Sequence, residues 1–297
     1  MPSAGGQCLR YIRSVTILST VSRVGTAPTD LATRAERLGF RGVALDAGLD
    51  QGALAALAAA LLAAGLEVPV VEAPCPRPPS TGGERPPYLA SSDREERLAA
   101  AKDFETTLAT ATRVGAKLLV VRLGVLEVQH RFAETVRAYA RGTLDDEARE
   151  RLAATRRQLS GRALDLARFG LEPVLEKAAD AGVTVGLVNR ARWFEIPSAA
   201  EVATLMDELR GAPLAPFYDA AAAHVRAALG LGAGRPAVEL EQAAGAFLTD
   251  AAGLRGGLPW GTGEVDRAAV LAKLPAGAPR VLRSAIATDE EILAAML

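Results

Sequence analysis

Cysteine and aromatic residues are scarce in this 297-residue chain, and neither sign of charge predominates. Two cysteines, Cys8 and Cys75, are too few for a disulfide framework, so we expect the free thiols of a cytoplasmic protein. Aromatic residues make up only 4% of the chain, which argues against extensive stacking platforms for bases or sugars. A formal net charge of −1 provides no overall field that would attract nucleic acid or a membrane surface.

Long apolar runs are also missing. The alanine- and leucine-rich stretch 53–66 is too short to cross a bilayer and is better interpreted as a helix. The N-terminus lacks the apolar segment and cleavage site of a secretory signal. We therefore expect a soluble protein that binds neither nucleic acid nor membranes.

Strand and helix signals alternate along the whole chain. Short apolar, β-branched runs are each followed by a segment with apolar residues at helical spacing. The predicted strands cover residues 14–20, 42–48, 67–75, 117–124, 183–187, 215–220, 245–251 and 280–285. The predicted helices cover residues 30–40, 53–65, 93–115, 145–182, 198–210, 221–230, 264–274 and 289–297, the fourth of them with a break near Ser160 and Gly161.

Eight strand–helix units in a chain of this length predict an α/β fold, a closed (β/α)8 or TIM barrel, as a single domain over residues 1–297. Residues 125–144 lack a clear period and should form an excursion beyond the fourth strand. A doubly wound open sheet is the alternative. It is disfavoured because residues 19–25, after the first strand, lack the glycine-rich turn that binds phosphate in such folds.

Barrels of this kind bind their ligands at the carboxyl ends of the strands, here called the mouth. Side chains alternate along a strand, so the inward residues can be predicted if the apolar strand centres point inward. A slip of one residue would exchange the two faces of a strand. The predicted inward set is Asp46, Glu72, Arg122, Val188, Asp219, Phe247 and Arg283, with Arg190 two residues beyond Val188.

Several segments, in their order and spacing, resemble the xylose isomerase-like TIM barrels, also called the sugar phosphate isomerase/epimerase family. They are AERLGFRGVALD, AAAKDFETTLATATRVGAKLLVVRLG, LEPVLEKAADAGVTVGLVN with IPSAAEVATLMDEL, FYDAAAAH, AFLTDAAG and PWGTGEVDRAAVLAKL. The resemblance implies a divalent metal at the mouth, held by Glu, Asp, His and Glu on strands five to eight. Such a metal polarises the substrate while two Glu residues move a proton between adjacent carbons.

This chain departs from that ligand set at three of its four positions. Val188 stands at the first Glu position, Phe247 at the His position and Arg283 at the last Glu position. Asp219 alone matches, and a single carboxylate does not hold a divalent ion against water. Arginine cannot act as a ligand, and its charge repels a cation. We therefore expect no metal and no other cofactor, and an anion pocket in place of a cation pocket.

The leading hypothesis is a metal-independent barrel that acts on, or binds, a small anionic, sugar-like metabolite, as an isomerase or epimerase if it is an enzyme. Asp219 or Glu72 would be the catalytic base. Arg122 and Arg283 would stabilise an enediolate or bind an anionic group. The other substrate-binding candidates are Arg190, Asn189, Trp260 and His224.

Other interpretations stay open. Arg122 and Arg283 can instead pair with Glu72 and Asp219 and fill the cavity, leaving a catalytically silent barrel that holds a ligand or a partner protein. A metal site of Asp46, Glu72, Asp219 and His224 would require a different strand register. Trp260 can equally anchor the packing, and His224 suits a capping or surface role. The oligomeric state is open, a homo-oligomer included.

Overall fold

The strands and helices follow one another along the chain as the sequence predicts. The computed structural model describes residues 16–22, 27–78, 87–128, 132–231, 240–283, 285 and 287–295, and Cys8 lies outside them. The strands are β1 (Thr16–Ser19), β2 (Val43–Ala44), β3 (Val70–Glu72), β4 (Leu118–Val121), β5 (Gly124–Val125), β6 (Thr184–Val188), β7 (Glu195–Ile196), β8 (Leu214–Asp219), β9 (Gly245–Leu248), β10 (Asp250–Ala252), β11 (Arg255–Leu258) and β12 (Arg280–Leu282). The helices are α1 (Pro28–Arg37), α2 (Gln51–Ala63), α3 (Arg94–Val114), α4 (Phe132–Ala140), α5 (Asp146–Asp180), α6 (Ala199–Glu208), α7 (Ala220–Ala228), α8 (Arg267–Lys273) and α9 (Asp289–Ala295).

Eight parallel strands form one sheet in the order β2-β1-β12-β9-β8-β6-β4-β3. The two ends of this sheet are joined. Val43 N–H donates to Glu67 C=O at 2.9 Å, Glu72 N–H donates to Leu45 C=O at 2.8 Å, and a parallel bridge links Leu45 to Val71. The predicted closed barrel is therefore confirmed. The open-sheet alternative is wrong because both of its edges are hydrogen-bonded to each other.

Apolar side chains from all eight barrel strands fill the interior. They form one buried cluster of Ile17, Ala44, Val70, Leu118, Val120, Val188, Phe217, Phe247 and Val281. Phe217 and Phe247 meet edge to face, with ring centroids 4.7 Å apart. Because alternate residues share a face, the residues two positions nearer the mouth also point inward. These are Asp46, Glu72, Arg122, Arg190, Asp219 and Arg283, which confirms the predicted register.

Strand residues of the other parity face the surrounding helices. Leu119, Val185 and Leu187 are fully buried in this outer core, between the sheet and the helices. The predicted capping box at the start of α6 is present: Ser198 N–H donates to Glu201 Oε2 at 2.6 Å, and Glu201 N–H donates to Ser198 Oγ at 3.4 Å. Within the described ranges, none of the helices is both long and apolar enough to cross a membrane.

The helix α5 is continuous from Asp146 to Asp180, so the predicted break near Ser160 and Gly161 is wrong. A glycine inside a helix costs only about 1 kcal/mol relative to alanine. Buried residues on either side of Gly161, Arg156 and Ala167, fix both halves of the helix. Packing on both sides therefore outweighs the weak local propensity.

Two antiparallel strand pairs lie beyond the carboxyl ends of the barrel strands. In the predicted excursion after β4, β5 pairs with β7, and α4 follows. After β9, β10 pairs with β11 in a hairpin. The sequence signals do not predict these short pairs.

Candidate functional site

The mouth of the barrel centres on Glu72, which ends β3 and is 2% exposed. Arg122 Nε donates to Glu72 Oε1 at 2.8 Å, and Arg122 Nη2 donates to the same oxygen. Arg283 Nη1 lies 3.1 Å from Glu72 Oε2, at an angle that leaves this oxygen without a hydrogen bond from the described residues. One carboxylate is therefore held between two guanidiniums, with one oxygen still able to accept.

The pKa values of these groups depend on the charges of their neighbours. Burial alone would raise the pKa of Glu72, but the charges of Arg122, Arg283 and Arg190 and the hydrogen bond from Arg122 lower it to about 2. The charge of Glu72 in turn raises the pKa of Arg122, although burial opposes it. Arg283 also lies over the ring of Phe247, with Cζ 4.6 Å from the ring centroid. Phe247 on β9 and Arg283 after β12, which stand at two positions where the resemblance implies metal ligands, thus stack on each other.

Asp219 ends β8 and caps α7, where its Oδ1 accepts from Ala222 N–H at 2.9 Å. Burial raises the pKa of Asp219, and the hydrogen bond from Ala222 and the charges of Arg283 and Arg190 only partly offset this. The side-chain amide of Asn189 binds the Asp219 backbone on both sides. Asp219 is thus a carboxyl group that is fixed by hydrogen bonds and has a raised pKa.

Arg190 is held by Glu195, a residue that the sequence analysis missed. Arg190 Nη2 donates to Glu195 Oε1 at 2.8 Å, and Arg192 N–H donates to Glu195 Oε2 at 2.9 Å. Burial raises the pKa of Glu195, but Arg190 and Arg192 lower it further than burial raises it. The only sequence signal is an opposite charge five residues after Arg190, within a loop that has no periodicity.

Arg156 supports this loop from α5 and was also missed. It is buried and donates to the backbone carbonyls of Trp193 and Glu195, the second at 2.9 Å, and to the carboxylate of Glu201. The charged run RRQLSGR, residues 156–162, is by its composition typical of a solvated helix face. That interpretation is wrong for Arg156, because its side chain is buried against the backbone of Trp193 and Glu195.

His224 lies elsewhere, in the second turn of α7, where it lines a separate cavity. Its Nε2 is 3.2 Å from Glu264 Oε2. Trp260 is 4% exposed and packs in the hydrophobic core, the arrangement that a packing anchor requires. Substrate binding by these two residues stays a prediction. Asp46 accepts from the Thr20 hydroxyl and from Gly48 N–H.

The side chains at the mouth do not suit a divalent metal. Among the described residues, no three His, Cys, Asp or Glu side chains are grouped to hold one. Val188 and Phe247 belong to the buried apolar cluster, and Arg283 adds positive charge. Glu72 already pairs with two guanidiniums, which a cation would have to displace. The alternative metal site with His224 is wrong, because that residue lines the other cavity.

Comparison with known proteins agrees with this fold. Residues 32–277 match the family model of the xylose isomerase-like TIM barrel. A 3-keto-D-glucoside 4-epimerase of E. coli is 16% identical, with a TM-score of 0.66 over 95% of this chain and 96% of that chain. A D-allulose 3-epimerase of Methylomonas sp. is 12% identical, with a TM-score of 0.63 over 92% and 84% of the two chains. A xylose isomerase domain containing protein of Salmonella typhimurium is 12% identical, with a TM-score of 0.64 over 96% and 95%.

None of the curated proteins is similar to this sequence at a significant level. The solved structures share too little sequence to show more than the fold. The family model, in contrast, covers well over half of the chain. The resemblance drawn from the sequence is confirmed: the chain belongs to the xylose isomerase-like TIM barrel family, as a divergent member that has lost most of the metal ligands.

Proposed function

We propose that this barrel binds a small anionic, sugar-like metabolite at its mouth and catalyses proton transfer of the isomerase or epimerase type without a divalent metal. The observation that carries the proposal is the group Arg122–Glu72–Arg283 beside the half-buried carboxyl of Asp219. Family membership and the sugar epimerases among the similar structures support the substrate class.

The two guanidiniums of Arg122 and Arg283 would bind the anionic part of the ligand. They share a single carboxylate, that of Glu72, so positive charge remains at the mouth. Their side chains are 29% and 19% exposed, which leaves N–H groups accessible from the mouth. A carboxylate or phosphate matches the paired N–H groups of a guanidinium better than it matches an ammonium group.

Asp219 would transfer the proton. In this proposal its carboxylate removes a proton from the hydroxyl-bearing carbon beside the substrate carbonyl, which gives an enediolate, and returns that proton to the former carbonyl carbon, while the hydroxyl proton passes to the former carbonyl oxygen. The guanidiniums stabilise the negative charge that develops on the carbonyl oxygen. Glu72, with a pKa of about 2, accepts a proton poorly at neutral pH. We therefore assign the base to Asp219 and give Glu72 the role of holding Arg122 and Arg283.

A panel of sugar phosphates and sugar acids tests the proposal. We expect some of these compounds to raise the melting temperature of the purified protein, and Arg283→Gln to abolish that effect. In D2O, the stabilising compound should exchange the hydrogen beside its carbonyl, as followed by NMR. Asp219→Asn should stop this exchange. Asp207→Asn, which alters an exposed carboxylate 3.2 Å from Arg210, should leave both readouts unchanged.

Two outcomes would count against the proposal. Stoichiometric Mn, Zn or Co in the purified protein, with exchange lost on chelation, would overturn metal independence. Exchange that persists in Asp219→Asn would remove Asp219 from the base role.

A catalytically silent ligand- or partner-binding barrel is the second candidate. The internal pairing of Arg122 and Arg283 with Glu72 favours it, because these contacts occupy the space that a reacting group would need. Stabilisation by an anionic compound without any deuterium exchange would support this candidate. Exchange that depends on Asp219 would exclude it.

A further inference from the structure

A second cavity lies outside the barrel wall, between α6, α7 and α8. Its volume is about 330 Å³, at the lower end of the range for small-molecule sites. The wall is mostly apolar and includes Ala220 and Ala223 on one face of α7, and Val270 on α8. Ser198, at the start of α6, completes one side.

Arg226 is the buried basic residue among the described residues of this wall. It is 6% exposed, yet its hydrogen bond within the described residues is a long one, 3.4 Å from Nη1 to Arg192 C=O. The carboxylate that attracts it most, that of Glu201, already accepts from Arg156 and from Ser198 N–H. Burial and the charge of Arg156 lower the pKa of Arg226 to about 10, which leaves it cationic at neutral pH. Among the described residues, Arg226 is thus a buried guanidinium without an ion pair of its own, and Glu201 and Glu195 attract it only from a distance.

Other polar groups around the cavity also favour an anion. The Nε2 atom of His224 is buried, and it lies 3.2 Å from the largely exposed carboxylate of Glu264 without making a hydrogen bond within the described residues. Lys273 contributes to the wall from α8. The N-terminus of α6, which carries the positive end of the helix dipole, faces the cavity through Ser198. Among the described residues of the wall, the one carboxylate is that of Asp266, which already caps α8 by accepting from Ala269 N–H at 2.9 Å.

We propose that this cavity is a second ligand site, for a small organic anion with an apolar body, of the monocarboxylate class. The carboxylate of the ligand pairs with Arg226, and its alkyl body lies between the alanines of α7 and Val270. The described part of the wall is mostly apolar, which suits an alkyl body better than the hydroxyl groups of a sugar. Asn189 also lines the cavity and binds the backbone of Asp219, so a ligand here adjoins a residue that holds the mouth together.

Hexanoate is the probe for this site, and hexan-1-ol and hexylamine are its matched controls, with the same body and a neutral or opposite charge. By calorimetry at constant ionic strength, we expect saturable binding of hexanoate and clearly weaker binding of both controls. Arg226→Gln should weaken hexanoate binding by at least about tenfold. Arg210→Gln, which alters an exposed arginine, should leave the affinity unchanged.

A second variant guards against a folding defect in Arg226→Gln. Ala223→Leu fills the cavity without altering any charge and should abolish hexanoate binding, while circular dichroism checks that both variants are folded. Absence of hexanoate binding to the unmodified protein would overturn the proposal. Equal affinity for hexan-1-ol would overturn the anion requirement. Binding that is lost in Arg283→Gln and kept in Arg226→Gln would move the anion to the barrel mouth.

Discussion

Asn189 binds the backbone of Asp219 through both atoms of its side-chain amide. Its Oδ1 accepts from Asp219 N–H at 2.7 Å, and its Nδ2 donates to Asp219 C=O at 3.0 Å. Asn189 directly follows β6, and Asp219 ends the neighbouring strand β8. The side-chain amide of Asn189 thus extends the hydrogen bonding between β6 and β8 by one residue. It fixes the backbone position of Asp219 and, with it, the starting point of the Asp219 side chain.

Asn189→Leu should lower the free energy of unfolding by about 2 kcal/mol, because it leaves the N–H and C=O groups of Asp219 unpaired. Urea denaturation measures this change. Gln158→Leu, at an exposed position of α5, is the control and should shift stability by less than about 0.5 kcal/mol. Equal stability of Asn189→Leu and the unmodified protein would contradict the pairing.

Glu72 should make the stability of the protein depend on pH at the acid end. Its pKa is lowered from 4.5 to about 2, so its ionised form stabilises the fold above pH 4.5, and this contribution is lost as the pH falls to 2. Glu72→Gln leaves two guanidiniums without their carboxylate and should cost about 3 kcal/mol at pH 7. Urea unfolding followed by tryptophan fluorescence should show the difference shrinking between pH 4.5 and 2.

The exposed Glu176 provides the control for this experiment, and Glu176→Gln should match the unmodified protein throughout. A stability difference for Glu72→Gln that stays constant down to pH 2 would argue against a lowered pKa.

Arg156 and Arg226 should be energetically coupled through Glu201. Either arginine can compensate the buried carboxylate when the other is replaced, so Arg226→Met alone should be nearly neutral. The double variant leaves Glu201 without a cation and should lose about 1–2 kcal/mol more than the sum of the single variants. Chemical denaturation of all four proteins measures the coupling. As a control, the losses in free energy of unfolding for Arg156→Met and Arg210→Met should simply add in the double variant. If the losses for Arg156→Met and Arg226→Met also add, Arg226 is not coupled to Arg156 through Glu201.

Gly263 is required because the chain passes closely over Asp250. The carboxylate of Asp250 accepts backbone N–H groups from Gly261 at 2.9 Å and from Val265 at 3.0 Å, and it ties the hairpin to the turn before α8. A Cβ atom at position 263 would strike this carboxylate. Gly263→Ala should therefore lower stability by about 2 kcal/mol in thermal unfolding. Gly277→Ala meets no atom within 4 Å and should be tolerated.

Cys75 should be unreactive in the folded protein. It is buried, and burial, with the charges of Asp46 and Glu72, raises the pKa of its thiol to about 12. Iodoacetamide at pH 8 should leave the Cys75 peptide unmodified in native buffer and alkylate it in urea, as mass spectrometry reports. Rapid alkylation in native buffer would show that the end of β3 opens.

The barrel and its strand register could be predicted because both follow from short-range patterns. Apolar strand centres such as Val120 and Val281 must point inward to fill the interior, so Arg122 and Arg283 follow inward two residues later. The partners of these side chains could not be predicted. Arg156 meets Glu195 across 39 positions of sequence, and that contact depends on where α5 crosses a loop. The periodic pattern of apolar residues indicates which face of a helix is buried. It does not indicate which loop a residue near the end of the helix contacts.

Thirty-five residues of unbroken helix make α5 about 52 Å long. The buried residues of α5 include Arg156 near the mouth, and Ala167 and Leu171 against the barrel wall. Arg156 and Ala167 are eleven positions apart, which is about three helical turns. Arg156 and Ala167 therefore lie on the same face of the helix. Deleting Gly161 would rotate one half by about 100° against the other and turn Arg156 away from the loop. The regular geometry of this one helix thus makes the position of the loop that carries Arg190 depend on how the helix packs against the barrel wall.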